Sequence, residues 1–430
     1  MHILVLGGYG LIGLAVSKRL LDDGHNVVGL ARSARKGIPF LPSADWVEAD
    51  ISTLIQPQNW LSYLAEIDVV VNASGVLQSG LSDNVSAVQR DAIIALISAC
   101  EQIGISKFIQ ISAPGASEDA KTEFYQTKGA ADNALKESSL KWTIFRPGLV
   151  ISPHAYGGTS LLRALTAFPI IQPIFMAKTP VQTVSVDDVA NAVSLAVQNE
   201  HGGRDFDLVA PESHTLDQLV LRLRSWLGFS KPKAVLSLPG WVGRLTALLA
   251  DWAGWLGWRS ALRTTAITVL SDGVTGDPNA WANASGQSTK TFEQTLRSIP
   301  STAQERVYAR AMLAFPVALI TLAGFWIASG MVGFMQDDEA IAVISDVLPK
   351  TLAGLFVRAG SIIDILIGVL LLIRPVTRFA CAASIVVSVG YILASAVFTP
   401  ELWADPMGPM VKVFPAIALA LFVAAIAEER

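Results

Sequence analysis

The 430-residue chain has only two cysteines, Cys100 and Cys381, one in each half, so neither a disulfide framework nor a cysteine-based metal cluster has material to build on. Charge is scarce as well. Asp, Glu, Lys and Arg make up 16% of the residues, against about 25% in ordinary soluble domains. The formal net charge of −4 creates no field that would hold a polyanion, which excludes a nucleic-acid partner. The five histidines, His2, His25, His154, His201 and His214, are scattered without a ligand spacing, and no metal site is expected. What takes the place of charge is apolar, at 52% of the chain. A disordered or fibrous chain is excluded, a core is easily built at this length, and two or three domains are allowed. Where the apolar excess sits is therefore the informative question.

Residues 311–336 run 26 positions without a charge and residues 379–400 another 22, each long enough to cross about 30 Å of hydrocarbon as helix. Between them, residues 352–373 are apolar except for Arg358 and Asp364, and residues 408–427 are apolar around Lys412. Four spans are expected. Arg306 and Arg310 precede the first, and Arg374 and Arg378 join the second to the third. The alternate connections carry Asp337, Asp338, Glu339 and Asp346, then Glu401 and Asp405. Positive charge on the inner side predicts a multi-pass protein of the cell inner membrane, with residues 1–310 and the C-terminus cytoplasmic. Met1 and His2 run directly into the apolar residues 3–6, so no secretory signal is expected there.

The part before the spans alternates. Residues 3–6, 26–30, 68–72, 107–111 and 142–145 are short Val- and Ile-rich runs, and helical patterns such as residues 11–21 and 87–103 lie between them. Such alternation predicts an α/β doubly wound fold, a parallel sheet covered on both faces. Its first turn reads Gly7-Gly8-Tyr9-Gly10-Leu11-Ile12-Gly13, directly after the first strand and opening the first helix. Glycines in that place let backbone approach a pyrophosphate whose charge the helix N-terminus favours. Gly7, Tyr9, Gly10, Leu11, Ile12 and Gly13 are therefore the expected dinucleotide contacts. After the second strand stands Arg32, where a guanidinium can pair with a 2′-phosphate. NADP is favoured over NAD, with a solvated surface arginine as the alternative.

Further motifs follow in order: Ala49-Asp50-Ile51, Asn72-Ala73-Ser74-Gly75, Ile111-Ser112-Ala113 and Arg146-Pro147-Gly148-Leu149-Val150, then Asp187-Asp188 within residues 184–190 and the strand and helix pattern of residues 206–216. As a set these resemble the short-chain dehydrogenase/reductase superfamily in its extended and atypical branches, over about residues 1–225. The nearest similarity is to the group that includes the 39-kDa accessory subunit of respiratory complex I. The resemblance implies adenine contacts at Asp50 and Ile51, cofactor contacts at Ala73, Ser74 and Gly75, an active-site serine at Ser112, and a nicotinamide-side turn at Pro147. It also implies a tyrosine acid/base with a lysine four residues later that holds the ribose. Lys128 is in place, but the position four before it is Phe124, and Tyr125 comes one residue late. One residue rotates a side chain by about 100° around a helix. Tyr125 is accordingly expected either to move the proton after a shift of the helix start, or to be a helix-surface residue while Ser112 and Lys128 serve the cofactor.

In the last third, Ala359-Gly360, Asp364, Gly368, Leu372-Ile373-Arg374-Pro375 and the string Glu401-Leu402-Trp403-Ala404-Asp405-Pro406-Met407-Gly408-Pro409-Met410-Val411-Lys412 resemble the DoxX-like four-helix membrane family. Asp364 falls mid-span, where a charge needs a partner or water. Arg358, six residues earlier, is the candidate, and the pair reads equally as functional or structural. Gly354, Gly360 and Gly368 would allow close helix packing.

Ahead of the spans, Trp241, Trp252, Trp255 and Trp258 alternate with Leu245, Leu248, Leu249 and Leu256. They form either a helix lying on the bilayer or a capping lobe on the sheet. The Gly-, Pro-, Asn- and Ser-rich residues 272–297 are expected to be loop-rich. The domains are therefore placed at residues 1–300, with a core at 1–225 and the tryptophan-rich segment at 238–298, and at residues 307–430. The combined expectation is a membrane-anchored NAD(P)H-dependent oxidoreductase acting on a lipophilic carbonyl or quinone. A non-catalytic NADP-binding module of a membrane redox complex is the alternative, and a nucleotide-sugar epimerase or dehydratase a further one.

Overall fold

The computed structural model describes residues 1–80, 84–155, 157–198, 202–258, 260, 262–345, 347–406 and 408–428. His201, Asp346 and Met407 of the sequence reading lie outside the described residues. The chain forms two compact units, Met1–Asp251 with Ala261–Arg306, and Trp252–Ser260 with Val307–Arg430.

The first unit is built on seven parallel strands: β1 (His2–Leu6), β2 (Asn26–Ala31), β3 (Asp45–Glu48), β4 (Val69–Asn72), β5 (Lys107–Ile111), β6 (Lys141–Pro147) and β7 (Arg204–Leu208). Their order is β7-β6-β5-β4-β1-β2-β3. The chain reverses direction of growth at β1, and the crevice outside the carboxyl ends of β1 and β4 is where such sheets take ligands. Alternation along β1 feeds both faces. Ile3 and Val5 join the core covered by helices α1 (Leu11–Asp22) and Val186–Gln198, whereas Leu4 and Leu6 join the core under α2 (Ala92–Ile103) and α3 (Glu123–Glu137).

A smaller lobe follows, from strand pairs Leu149–Ile151 with Thr183–Ser185 and Ile171–Phe175 with Ala234–Leu238, packed with helix Leu216–Trp226. Residues 272–297 are more helical than their composition suggests, forming Pro278–Ser285 and Phe292–Ser298. The residues that signal loop are in fact their caps. Asp277 accepts from Asn279 N at the first, Gly286 closes it at φ 72°, and Thr291 makes a capping box with Gln294 at the second. Trp281 from this segment is buried edge-on against Phe145 and Phe206, each 5.2 Å away. Helix α4 (Gly240–Trp255) carries the leucine and tryptophan pattern.

The second unit holds α5 (Ala303–Met335) from Val307 on, α6 (Lys350–Leu371), α7 (Thr377–Phe398) and the shorter apolar α8 (Val413–Glu428). The first three are long and apolar enough to cross a membrane. Phe315, Leu319, Leu322 and Trp326 of α5 pack with Ile367, Leu371, Ala380, Ala420 and Val423. The helices cross closely where side chains are missing. A Cβ on Gly368 would lie 2.8 Å from the Ala323 carbonyl, and one on Gly330 would lie 2.4 Å from that of Ser361.

The anticipated Arg358–Asp364 pair does not form. Arg358 Nη2 binds Asp337 Oδ2 at 2.6 Å, while Asp364 accepts from Ser329 Oγ at 2.7 Å and Tyr391 Oη at 2.8 Å. Six residues of helix turn through about 600°, which leaves the two side chains about 120° apart and facing different neighbours.

Candidate functional site

The site begins where β1 ends. Leu6 lies in register between Leu30 and Asn72, so Gly7 N donates to Leu30 O at 3.0 Å and Ala73 N to Leu6 O at 3.1 Å. Gly7 has φ 71°, and a Cβ on it would stand 3.0 Å from the Ala73 carbonyl and 3.1 Å from Ser74 Cα. The glycine loop and the loop after β4 therefore touch backbone to backbone. Gly13 admits nothing larger, because a Cβ there would come within 2.1 Å of Gly7 O. Gly10 caps α1 without a side-chain hydrogen bond, so the first-turn amides are presented uncapped to an anion. Tyr9, Leu11 and Ile12 are half-buried around this turn, with the Tyr9 ring 6.3 Å from that of Trp46. A dinucleotide fits this cradle on its own geometry.

At the adenosine side, Arg32 follows β2 and is exposed. Glu48, at the end of β3, accepts from Ala34 N at 2.7 Å. Asp50 takes Ser52 N and Ser52 Oγ onto Oδ1, at 3.0 and 2.8 Å, and Ile51 is buried beneath.

At the opposite end, Asn72 bridges strands by donating to Gln110 Oε1 at 2.8 Å, and its own Oδ1 accepts from Ser74 N and Ser74 Oγ. Ser74 is thereby fixed, and Gly75 follows it into the open. A Cβ on Gly75 would be 3.8 Å from Lys128 Nζ. Lys128 is buried and donates to the Ile111 carbonyl at 2.9 Å, next to Ser112. Burial pulls its ammonium down to about 8, against the opposing attraction of Asp132. Pro147 ends β6 in register with Leu208. Gly7, Ala73, Ser74, Gly75, Lys128 and Ser112 thus form a continuous line along the carboxyl edge of the sheet.

Phe124, not Tyr125, shares the face of Lys128. The ammonium is 5.9 Å from the Phe124 ring. Tyr125 is 7% exposed and so is not a surface residue. Its phenol packs on Gly115, whose Cβ position lies 3.9 Å from Oη, and burial pushes it up to about 12, with Asp272 adding to the effect.

Two residues that the sequence reading missed complete the site. Asp132, one turn beyond Lys128, accepts from Ser112 Oγ at 2.6 Å, and burial raises its pKa. Gln89 sits in a single π turn, Ala87–Asp91, ahead of α2, a distortion frequent at functional positions. It donates to Val76 O at 2.9 Å, and its buried Oε1, which lacks a partner among the described residues, points toward Gly75 at 3.5 Å from the Cβ position there. The four-residue spacing from Lys128 could have flagged Asp132. Nothing in the sequence flags Gln89.

Residues 7–200 match the NAD(P)H-binding family, and residues 323–421 match the DoxX-like family. The chain is 29% identical over 203 residues to the photosystem II assembly factor Ycf39 of Synechocystis sp., covering 46% of this chain and 59% of that protein. It is 33% identical over 150 residues to Ycf39 of Cyanophora paradoxa, covering 34% of this chain and 44% of that one. The chain thus spans about half the length of these relatives. Among solved structures, the dTDP-glucose 4,6-dehydratase of Bacillus anthracis in complex with NAD superposes with a TM-score of 0.52 at 16% identity, over 69% of this chain and 94% of that one, a likeness of fold alone. The chain thus joins an NAD(P)-binding Rossmann-type domain to a DoxX-like domain of apolar helices, three of them long enough to cross a membrane.

Proposed function

We propose that this protein is a membrane-anchored NAD(P)H-dependent oxidoreductase that reduces a lipophilic acceptor, quinone-type in preference to a simple carbonyl. The observation that carries the reading is the buried Lys128 ammonium beside Gly75 and the Ile111 carbonyl, at the far end of the glycine cradle. Gly7, Tyr9, Gly10, Leu11, Ile12 and Gly13 hold the pyrophosphate. Asp50 and Ile51 border the adenine, Arg32 recognises the 2′-phosphate and makes NADP the preferred form, and Ala73, Ser74, Gly75 and Pro147 border the nicotinamide half. Lys128 hydrogen-bonds the ribose. The bound dinucleotide supplies a hydride, that is, two electrons. A quinone that takes up hydride completes its reduction with a proton from water, and so does without the positioned tyrosine that a ketone requires. Phe124 at that position supports the choice. Nucleotide-sugar epimerisation or dehydration needs the same tyrosine and is disfavoured for the same reason.

A second reading, a non-catalytic NAD(P)-binding module of a membrane redox assembly, is supported by the engagement of Ser112 with Asp132 and by the buried Tyr125 phenol, which burial makes a poorer proton donor. The assembly-factor names of the relatives point the same way. On either reading Ser112 and Tyr125 have smaller parts than Lys128. The arginines at 306, 310, 374 and 378, set against Asp337, Asp338 and Glu339, support placement in the cell inner membrane. The dinucleotide domain and C-terminus would then be cytoplasmic, with α8 as the fourth span.

The test is analysis of the dinucleotide retained by the detergent-purified full chain, followed by NADPH-oxidation assays over lipophilic quinones and carbonyls. Quinone-dependent oxidation that a Lys128→Ala variant loses supports the enzyme. Tight binding without turnover on any acceptor shifts the assignment to the second reading, and retained NAD in place of NADP overturns the role of Arg32.

A further inference from the structure

Helix α4 turns its small residues inward and its large ones outward. Gly243, Ala247, Ala250 and Gly254 are buried, and their spacing of three to four lines one side of a helix. Gly243 is in close contact, since a Cβ there would stand 3.6 Å from the Phe175 ring. On the other side Trp241 is 65% exposed, Leu249 63%, Trp252 77% and Trp255 70%, with Leu245 and Leu248 also exposed between them. The helix has two charges. Asp251 is turned inward, accepting from Gln78 Nε2 at 3.1 Å, Arg263 Nε at 3.2 Å and Thr264 Oγ1, while Arg244 is exposed. A helix facing water places its apolar residues the other way round, and an uncovered patch of this kind marks an interaction surface.

Two further observations identify what covers it. Tryptophans and leucines with a lone outward arginine are the composition of a helix at headgroup level, where an indole finds both apolar and polar surroundings. The last turn of the helix, from Trp252 on, belongs to the second unit, and within that unit the chain just beyond it is bound to an end of the bundle. Arg374 N donates to Leu256 O at 2.9 Å, and Trp258 Nε1 donates to Leu372 O at 2.7 Å. The Trp258 ring is 5.6 Å from that of Phe315 and 5.7 Å from the Arg374 guanidinium. Leu372 and Arg374 form the turn between α6 and α7, the level at which spans leave hydrocarbon.

We propose that the outer face of α4 is seated in the headgroup and upper acyl region of the bilayer, as an interfacial helix distinct from the spans. Trp241, Leu245, Leu248, Leu249, Trp252 and Trp255 lie in lipid, and Arg244 reaches lipid phosphate. This surface is independent of the catalytic assignment, because it rests on the helix and the membrane unit alone.

The test uses the full chain in vesicles of phosphatidylcholine with phosphatidylglycerol, spin-labelled at Leu245→Cys or Leu249→Cys. Glu137→Cys serves as an aqueous reference and Val386→Cys, exposed on α7, as a lipid reference. Cys100 and Cys381 are buried, so the wild-type chain provides the labelling blank, and unchanged thermal melting confirms folding. The expected result is that both labels collide several-fold more with oxygen, relative to a water-soluble nickel chelate, than the Glu137→Cys label does, approaching Val386→Cys. A ratio equal to that of Glu137→Cys overturns the proposal by showing water. Protection from both reagents also overturns it, since a protein surface, such as a second copy, would then cover the face.

Discussion

The Ser112 hydroxyl donates to the Asp132 carboxylate across 2.6 Å, with both side chains buried. The other carboxylate oxygen has no hydrogen-bond partner among the described residues, Arg146 Nη2 stands 3.9 Å from Oδ2, and the Lys128 ammonium also attracts the carboxylate. Ser112 is therefore the main donor to a costly buried acceptor. Ser112→Ala should destabilise the first unit by about 2 kcal/mol, the range for a buried charged group that loses its bond. Thermal unfolding in detergent measures this, and an unchanged Tm would mean that the bond is not formed.

Lys128 makes a pH-dependent contribution whose sign follows from its burial. The unfolded lysine takes its proton near 10.5 and the buried one near 8. Between those values the unfolded state binds more protons, so native stability rises with pH across that window and is lower below it. Melting curves from pH 7.5 to 10 should show this rise in the wild type relative to a Lys128→Met variant, since the opposing contribution of the Cys100 thiol, pushed up to about 12 by burial, is common to both. Lys128→Met should lack it, and its NADPH affinity should fall roughly tenfold or more, which is about 1.4 kcal/mol.

Phe124 occupies the position from which a tyrosine would face Lys128. Phe124→Tyr restores the four-residue spacing on an intact helix, and should raise NADPH-dependent reduction of a lipophilic ketone by roughly 100-fold, the lower end of the range for a positioned acid. Tyr125→Phe in the same assay should change little, because its phenol lies against Gly115. A large loss in Tyr125→Phe would reinstate it as the proton donor.

On the proposed function, Arg32 binds the 2′-phosphate. Arg32→Ala should weaken NADPH binding by roughly tenfold or more, as expected for one charge-assisted contact, with NADH binding unchanged. Isothermal titration with both dinucleotides measures the selectivity. Equal losses for the two would place Arg32 elsewhere.

In the bundle, Asp364→Leu leaves the hydroxyls of Ser329 and Tyr391 without their acceptor, and should lower stability by about 1–3 kcal/mol. Asp364→Asn keeps an acceptor and should lose less. Arg358→Gln breaks an exposed pair with Asp337 and should leave Tm unchanged. Combining it with Asp364→Leu should add nothing, since the two residues share no partner.

Much of this protein is written in local pattern. Alternating Val and Ile runs with helical stretches between them determined a parallel sheet, because strands buried on both faces must be apolar throughout. The glycines from Gly7 to Gly13 determined a dinucleotide cradle, because a Cβ on Gly13 or Gly7 would stand 2.1 or 3.0 Å from a neighbouring backbone oxygen. Charge-free runs after residue 310 determined membrane helices, because hydrocarbon accepts little else. These features depend on residues near one another in the chain.

What only the tertiary structure decided concerns which faces meet. Asp132 became part of the site because α3 sets it against the end of β5, and Gln89 because a π turn re-aims its amide toward Gly75. Asp364 bonds to Ser329 and Tyr391 rather than Arg358 because helical rotation points the two charges at different neighbours. The direction of α4 was likewise open in the sequence, where tryptophan, leucine, glycine and alanine all read as apolar. Packing chose the small residues for close approach to protein and left the large ones facing out, so the apolar excess of this chain extends beyond its spans.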